Sequence, residues 1–146
     1  MSLVSLLAAL LVAAEPPGAF DEIVEWAKSH SHHEAIDRMG AWWEANPTDP
    51  RGGRAVIWLG QLYVTDAKPE EARKWFERAR SNYPKTEWAL HAIRSIAGLD
   101  ASSWHFDEAR RGYQQLIDSR DPFFVFEGET GLYVVTRLER QIYGVF

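Results

Sequence analysis

The chain has 146 residues, of which 21 are acidic and 16 basic, and its formal net charge is −5. This length suits one domain with a buried core. The absence of a Lys/Arg cluster disfavours nucleic acid as a partner. Cysteine is also absent, which excludes disulfides, thiol nucleophiles and thiolate metal sites.

The N-terminal segment has the pattern of a signal peptide. Residues 3–14 read LVSLLAALLVAA and are followed by EPPG. Val12 and Ala14 are small residues on either side of Ala13, as signal peptidase prefers, so we expect residues 1–14 to be cleaved and the mature chain to be exported. The apolar run falls short of the ~20 residues that span a bilayer, so we expect no membrane span in the mature chain. An uncleaved anchor and a first helix buried in the fold are the alternatives.

A repeat with a period of 37 residues follows. Segments 31–47, 68–84 and 105–121 align in three copies, each with small or apolar residues at positions i, i+4 and i+7. This spacing lines one face of a helix. The aligned positions are Ala35, Ala72 and Ala109, then Met39, Phe76 and Tyr113, then Trp42, Ala79 and Leu116.

Each copy is preceded by another helical pattern, so that each copy forms the second helix of a pair. In the first copy, residues 19–28 place Ile23 and Trp26 in register, with the polar Glu22 at an apolar position. Turn-forming residues separate the patterns. The sequence therefore predicts an all-α fold of stacked antiparallel helix pairs over residues 19–122. The stripes of the later copies are Val56, Leu59, Gly60 and Tyr63, then Ile93, Ile96 and Ala97.

Residues 123–146 leave this register. Leu132, Val135, Leu138 and Ile142 are spaced for a last helix that covers the open end of the stack. We predict a capping helix here. The β-branched run YVVT and the apolar C-terminus leave three alternatives open, namely a strand, a segment that docks on a partner, and a chain that ends before the next repeat.

The middle copy resembles the tetratricopeptide-repeat (TPR) signature, a helix–turn–helix repeat that stacks into an α-solenoid. With the segment YPKTEWALHAI, the period is similar to that of periplasmic repeat proteins of the TolA-binding coordinator and outer-membrane assembly lipoprotein types. Asp100 departs from the pattern, which favours an aromatic residue there, and the cysteine of a lipid anchor is missing. The matching positions are Leu59, Gly60, Tyr63, Ala72, Phe76, Ala79 and Pro84.

Three histidines cluster in the segment HSHHEAID, residues 30–37. The repeat register places this segment at the start of a second helix, where Ser31 and Glu34 have the spacing of a capping box. His33 and Asp37 could donate two ligands to a metal, whereas zinc usually takes three or four. We therefore expect no metal and no cofactor. A metal-binding protein that uses this cluster remains an alternative.

No catalytic constellation is evident. His91 and His105 lack a serine or carboxylate arrangement for a triad, and neither a phosphate-binding glycine loop nor a nucleophile elbow is present. We expect a non-enzymatic scaffold that binds protein partners in the periplasm or at the cell envelope. An accessory module of an envelope enzyme is the alternative.

The TPR resemblance also implies where a partner binds. Stacked pairs of that family leave a concave groove lined by the first helix of each pair. Its aromatic and basic lining, on an acidic protein, favours an acidic or extended peptide segment as the ligand. The residues that this geometry would present are Lys28, Arg54, Trp58, Gln61, His91 and Arg94.

Processing of the N-terminus can be tested directly. Protein recovered from its native host should begin at Glu15 when the N-terminal peptide is identified by mass spectrometry. The change Ala14→Arg should block cleavage, because it removes the small residue that the peptidase requires. An intact Met1 on the unaltered protein in the membrane fraction would favour an anchor instead.

Overall fold

A computed structural model describes residues 19–144, which contain seven α-helices and no strand. The expectation of an all-α fold is therefore confirmed. The expected signal peptide, residues 1–14, lies outside the described residues. The helices are α1 (Phe20–Ala27), α2 (His32–Ala45), α3 (Gly52–Thr65), α4 (Pro69–Asn82), α5 (Glu87–Ser102), α6 (Phe106–Asp118) and α7 (Pro122–Tyr143).

The described residues divide into two compact units, residues 19–49 and 50–144. In the first unit α1 packs on α2. Phe20 and Trp42 are buried and meet edge to face, with ring centroids 5.1 Å apart. Ile23 and Met39 are buried with them. The polar Glu22, which departs from the repeat pattern, is exposed.

In the second unit each helix packs on the next, from α3 to α7. In addition, α5 packs on α3 and on α7, so α3, α5 and α7 form a row of neighbouring helices. Short loops join the helices, as expected for antiparallel neighbours. This is a helical-repeat arrangement in which α5 has neighbours on both sides.

The aligned repeat positions, which lie in α2, α4 and α6, are part of the core. All nine aligned positions in α2, α4 and α6 are buried. The i, i+4, i+7 pattern therefore marks the buried face of each of these helices, as predicted. Their exposed fractions range from 0% at Ala35, Ala72 and Ala109 to 9% at Tyr113.

The aromatic position of the repeat packs against glycine. A Cβ atom built on Gly60 of α3 would lie 2.3 Å from the ring of Phe76, and one on Gly131 of α7 would lie 2.3 Å from the ring of Tyr113. Phe76 and Tyr113 occupy the same position of the repeat. The same aromatic position therefore packs against a glycine in both α4 and α6.

Ion pairs recur with the repeat and explain the departure at Asp100. Asp100 on α5 is only 7% exposed, and its carboxylate accepts a hydrogen bond of 2.5 Å from Arg73 on α4. Arg110, one repeat period after Arg73, pairs with Glu139 on α7. Each arginine thus joins a second helix to the helix that follows it. The carboxylate at position 100 supplies an inter-helix partner where an aromatic residue would supply only packing.

The C-terminal segment is helical rather than a strand. The Asp121 carboxylate accepts hydrogen bonds from the N–H groups of Phe123 and Phe124 at 3.0 and 3.4 Å, and Pro122 occupies the first turn. Both features favour a helix start. Gly144 ends the helix in a left-handed conformation, with φ of 63°. Among residues 19–144 no helix has the combination of length and apolar character that crossing a membrane would require.

The environments of Gly60 and Gly98 predict opposite effects of an added methyl group. Gly60→Ala should destabilise the protein by about 1–3 kcal/mol, because the new Cβ overlaps the Phe76 ring. At the control position Gly98, in the interior of α5, the nearest atom to a Cβ is the Tyr113 hydroxyl at 3.9 Å. Gly98→Ala should therefore stabilise by up to about 1 kcal/mol through helix propensity. Urea unfolding of both variants measures the difference, and equal effects would contradict the packing at Gly60.

Candidate binding surface

One predicted set of binding residues lies along α3. Arg54, Trp58 and Gln61 are spaced four and three residues apart, which places them on one side of the helix. Arg54 and Gln61 are exposed, and Trp58 is half-buried. The structure therefore brings these three predicted residues together on a surface that a partner can reach.

An aromatic row joins the N-terminal ends of α3, α5 and α7. Trp88 packs so closely against α3 that a Cβ on Gly53 would lie 2.2 Å from its indole. The His91 ring lies 5.8 Å from Trp88 and meets Phe124 edge to face at 4.9 Å, as centroid distances. Phe123 lies 5.0 Å from Phe124, and its side chain is exposed. The row connects all three helices.

This environment favours the neutral form of His91. Burial among the aromatic rings lowers the pKa of His91 below its ordinary value of 6.5, and the nearby Arg94 cation lowers it further. Glu87 and Glu127 oppose the shift with smaller effects. A neutral imidazole is consistent with the ring's role as a packing element between α5 and α7.

Arg94 is also engaged between helices. Its guanidinium donates a hydrogen bond of 2.9 Å to the carboxylate of Glu127 on α7, and both side chains are about one-third exposed. His91 and Arg94 thus connect α5 to α7. Their expected role in partner binding stays a prediction, and the structure adds an intramolecular role for each.

The sixth predicted residue, Lys28, belongs to the first unit. It lies at the C-terminal end of α1, with an exposed side chain whose ammonium group donates to the Glu25 carboxylate at 2.5 Å. Arg54, Trp58, Gln61, His91 and Arg94 belong to the second unit. An exposed pair of this kind contributes little to stability, so Lys28 is available to other anions.

The histidine segment has structural contacts. The Ser31 hydroxyl accepts a hydrogen bond of 3.3 Å from the Glu34 N–H, so half of the expected capping box forms; the return bond from Ser31 N–H to Glu34 does not. His30 stacks on Trp26 at 3.9 Å between ring centroids. His33 Nε2 lies 3.7 Å from Asp37 Oδ2. No group of three ligating side chains converges anywhere in residues 19–144.

Three residues of the site were not foreseen from the sequence. Phe123, Phe124 and Glu127 come from the C-terminal segment, which lies outside the aligned repeat. A usable signal was present, because Asp121 followed by Pro122 marks a helix start and so fixes where the first turn of α7 begins. That turn carries both phenylalanines.

Comparison of the chain with protein-family models, with curated proteins and with solved structures finds no match. The TPR resemblance therefore rests on the residues of this chain alone.

The environment of His91 predicts a pH dependence of stability. Because folding favours the neutral imidazole, the contribution of His91 to the free energy of unfolding is full above the unfolded-state pKa of about 6.5. It is lost as the pH falls from that value through the lower pKa of the folded state. Urea unfolding between about pH 7.5 and about pH 5 should show a larger loss in the unaltered protein than in His91→Phe. That variant keeps an aromatic ring and cannot titrate. Equal losses in the two proteins would contradict the lowered pKa of His91.

Proposed function

We propose that this chain is an exported, non-enzymatic helical-repeat scaffold of the TPR type that binds protein partners at the cell envelope. The supporting observation is the row of neighbouring helices α3, α5 and α7. Its side chains include exposed Arg54 and Gln61, half-buried Trp58 and exposed Phe123. Proteins built from stacked helices commonly use such extended surfaces for binding.

The composition of this surface supports a peptide or protein ligand. Trp58 and Phe123 offer apolar contact area, and tryptophan and arginine are enriched among residues that dominate binding energies. Arg54 adds a cation to a protein whose net charge is −5, which favours an acidic segment. Export rests on the pattern of residues 3–14 alone.

Site-specific crosslinking can test the proposal. A photo-crosslinking amino acid at Gln61, on the α3 surface, should capture a protein partner in the native host. The same amino acid at Gln114, which is exposed on α6, should not. Mass spectrometry of the crosslinked species identifies the partner. Equal capture at both positions, or none at Gln61, would contradict binding at α3.

With the captured partner in hand, Trp58→Ala should weaken its binding by more than about 2 kcal/mol if Trp58 is an anchor. Arg94 needs a variant that separates its two roles. Arg94→Glu breaks the pair with Glu127, whereas Arg94→Glu combined with Glu127→Arg restores the pair with reversed charges. If Arg94 contacts the partner, calorimetry will show that the double change restores stability without restoring affinity.

A further inference from the structure

Helix α7 has one face that no described helix covers. It packs on α6 and α5 through the buried residues Phe124, Gly128, Gly131 and Val135. On the opposite side, every third or fourth residue forms a line along the helix, which we call the α7 stripe. Its members are Phe126, Glu129, Tyr133, Thr136, Arg140 and Tyr143, and all six are exposed.

The α7 stripe has the spacing of a helix-pairing seam. Its members alternate at intervals of three and four residues, which is the heptad pattern by which one helix packs along another. Phe126, Tyr133 and Tyr143 are 64%, 65% and 64% exposed. Aromatic rings are enriched at protein interfaces, so three rings this exposed along one line offer contact area to a second helix.

The charges on the α7 stripe indicate what covers it. Glu129 lies in the N-terminal half of the stripe and Arg140 in the C-terminal half. Within residues 19–144 neither side chain forms an ion pair. A second α7 running antiparallel would bring these opposite charges together twice. A parallel copy would instead place like charges opposite each other, which is unfavourable.

We propose that two copies of this chain associate through the α7 stripe, antiparallel about a two-fold axis that passes between positions 134 and 135. The stripe has two alternating sets of positions, 126, 133 and 140 and then 129, 136 and 143. In this register each set faces the other set of the second copy, as alternate heptad positions do in antiparallel coiled coils. Glu129 meets the partner's Arg140, Phe126 meets the partner's Tyr143, and Tyr133 meets the partner's Thr136. The two-fold axis then repeats each contact.

This association is separate from the proposed binding of a partner at α3. It uses the face of α7 turned away from its contacts with α5 and α6, so both can occur in one molecule. A single pair of helices makes a small interface, so the dimer is expected to exchange with monomer at micromolar concentrations.

Sedimentation equilibrium of the protein recovered from its host tests the proposal. Between about 1 and about 500 µM the mass should rise from monomer to dimer and no further. Tyr133→Ser should keep the protein monomeric throughout this range. The matched control is Trp104→Ser, since Trp104 is 66% exposed and lies outside the stripe; this variant should dimerise normally. Circular dichroism checks that both variants are folded.

Charge reversal tests the register. Glu129→Arg and Arg140→Glu should each weaken self-association by about tenfold or more, because both reversals place like charges together. An equimolar mixture of the two variants should form a heterodimer as stable as the original dimer, and the double variant should dimerise by itself. A monomer at all concentrations, an assembly larger than a dimer, a dimer that survives Tyr133→Ser, or a mixture that fails to associate would each overturn the proposal.

Discussion

Close approach of helices at small residues is the constraint on which this fold depends. Short helices of 8 to 16 residues, as α1 to α6 are, cannot bury an apolar face alone and gain stability only from their neighbours. Alanine at positions 35, 72 and 109 and glycine at position 60 remove side-chain bulk where two helices meet. Large rings such as Phe76 can then lie directly against a neighbouring backbone.

The same helices that would form a binding surface also need one another for support. Two residues expected at the surface, His91 and Arg94, lie between α5 and α7, where one packs among rings and the other forms an ion pair. This does not remove them from a binding role, since both remain partly exposed. It does mean that altering either residue perturbs the helix row and any bound ligand together. Gln61 is exposed, so a change there tests ligand binding without also perturbing the row of helices.

The sequence predicts most of the fold because its repeat is strong. The i, i+4, i+7 spacing identifies the buried face of α2, α4 and α6 residue by residue, since helical periodicity depends only on local geometry. Inter-helix partners are harder to predict. In the sequence, Asp100 departs from the repeat pattern, and only the structure shows its partner, Arg73. Similarly, no pattern in the sequence links Glu127 to Arg94. Both pairs join residues 27 or 33 positions apart, and this separation carries no periodic signal.

The arginine pairs of the repeat also bear on how the second unit responds to stress. Arg73–Asp100 and Arg110–Glu139 each connect helices from successive pairs, so they strengthen the interfaces between repeats rather than the repeats themselves. In stacked proteins, strong interfaces relative to weak individual repeats make neighbouring repeats open and close together. The helices from α3 to α7 are therefore expected to behave as one cooperative block, with amide hydrogen-exchange protection that is nearly uniform along them and declines only at the C-terminal end of α7.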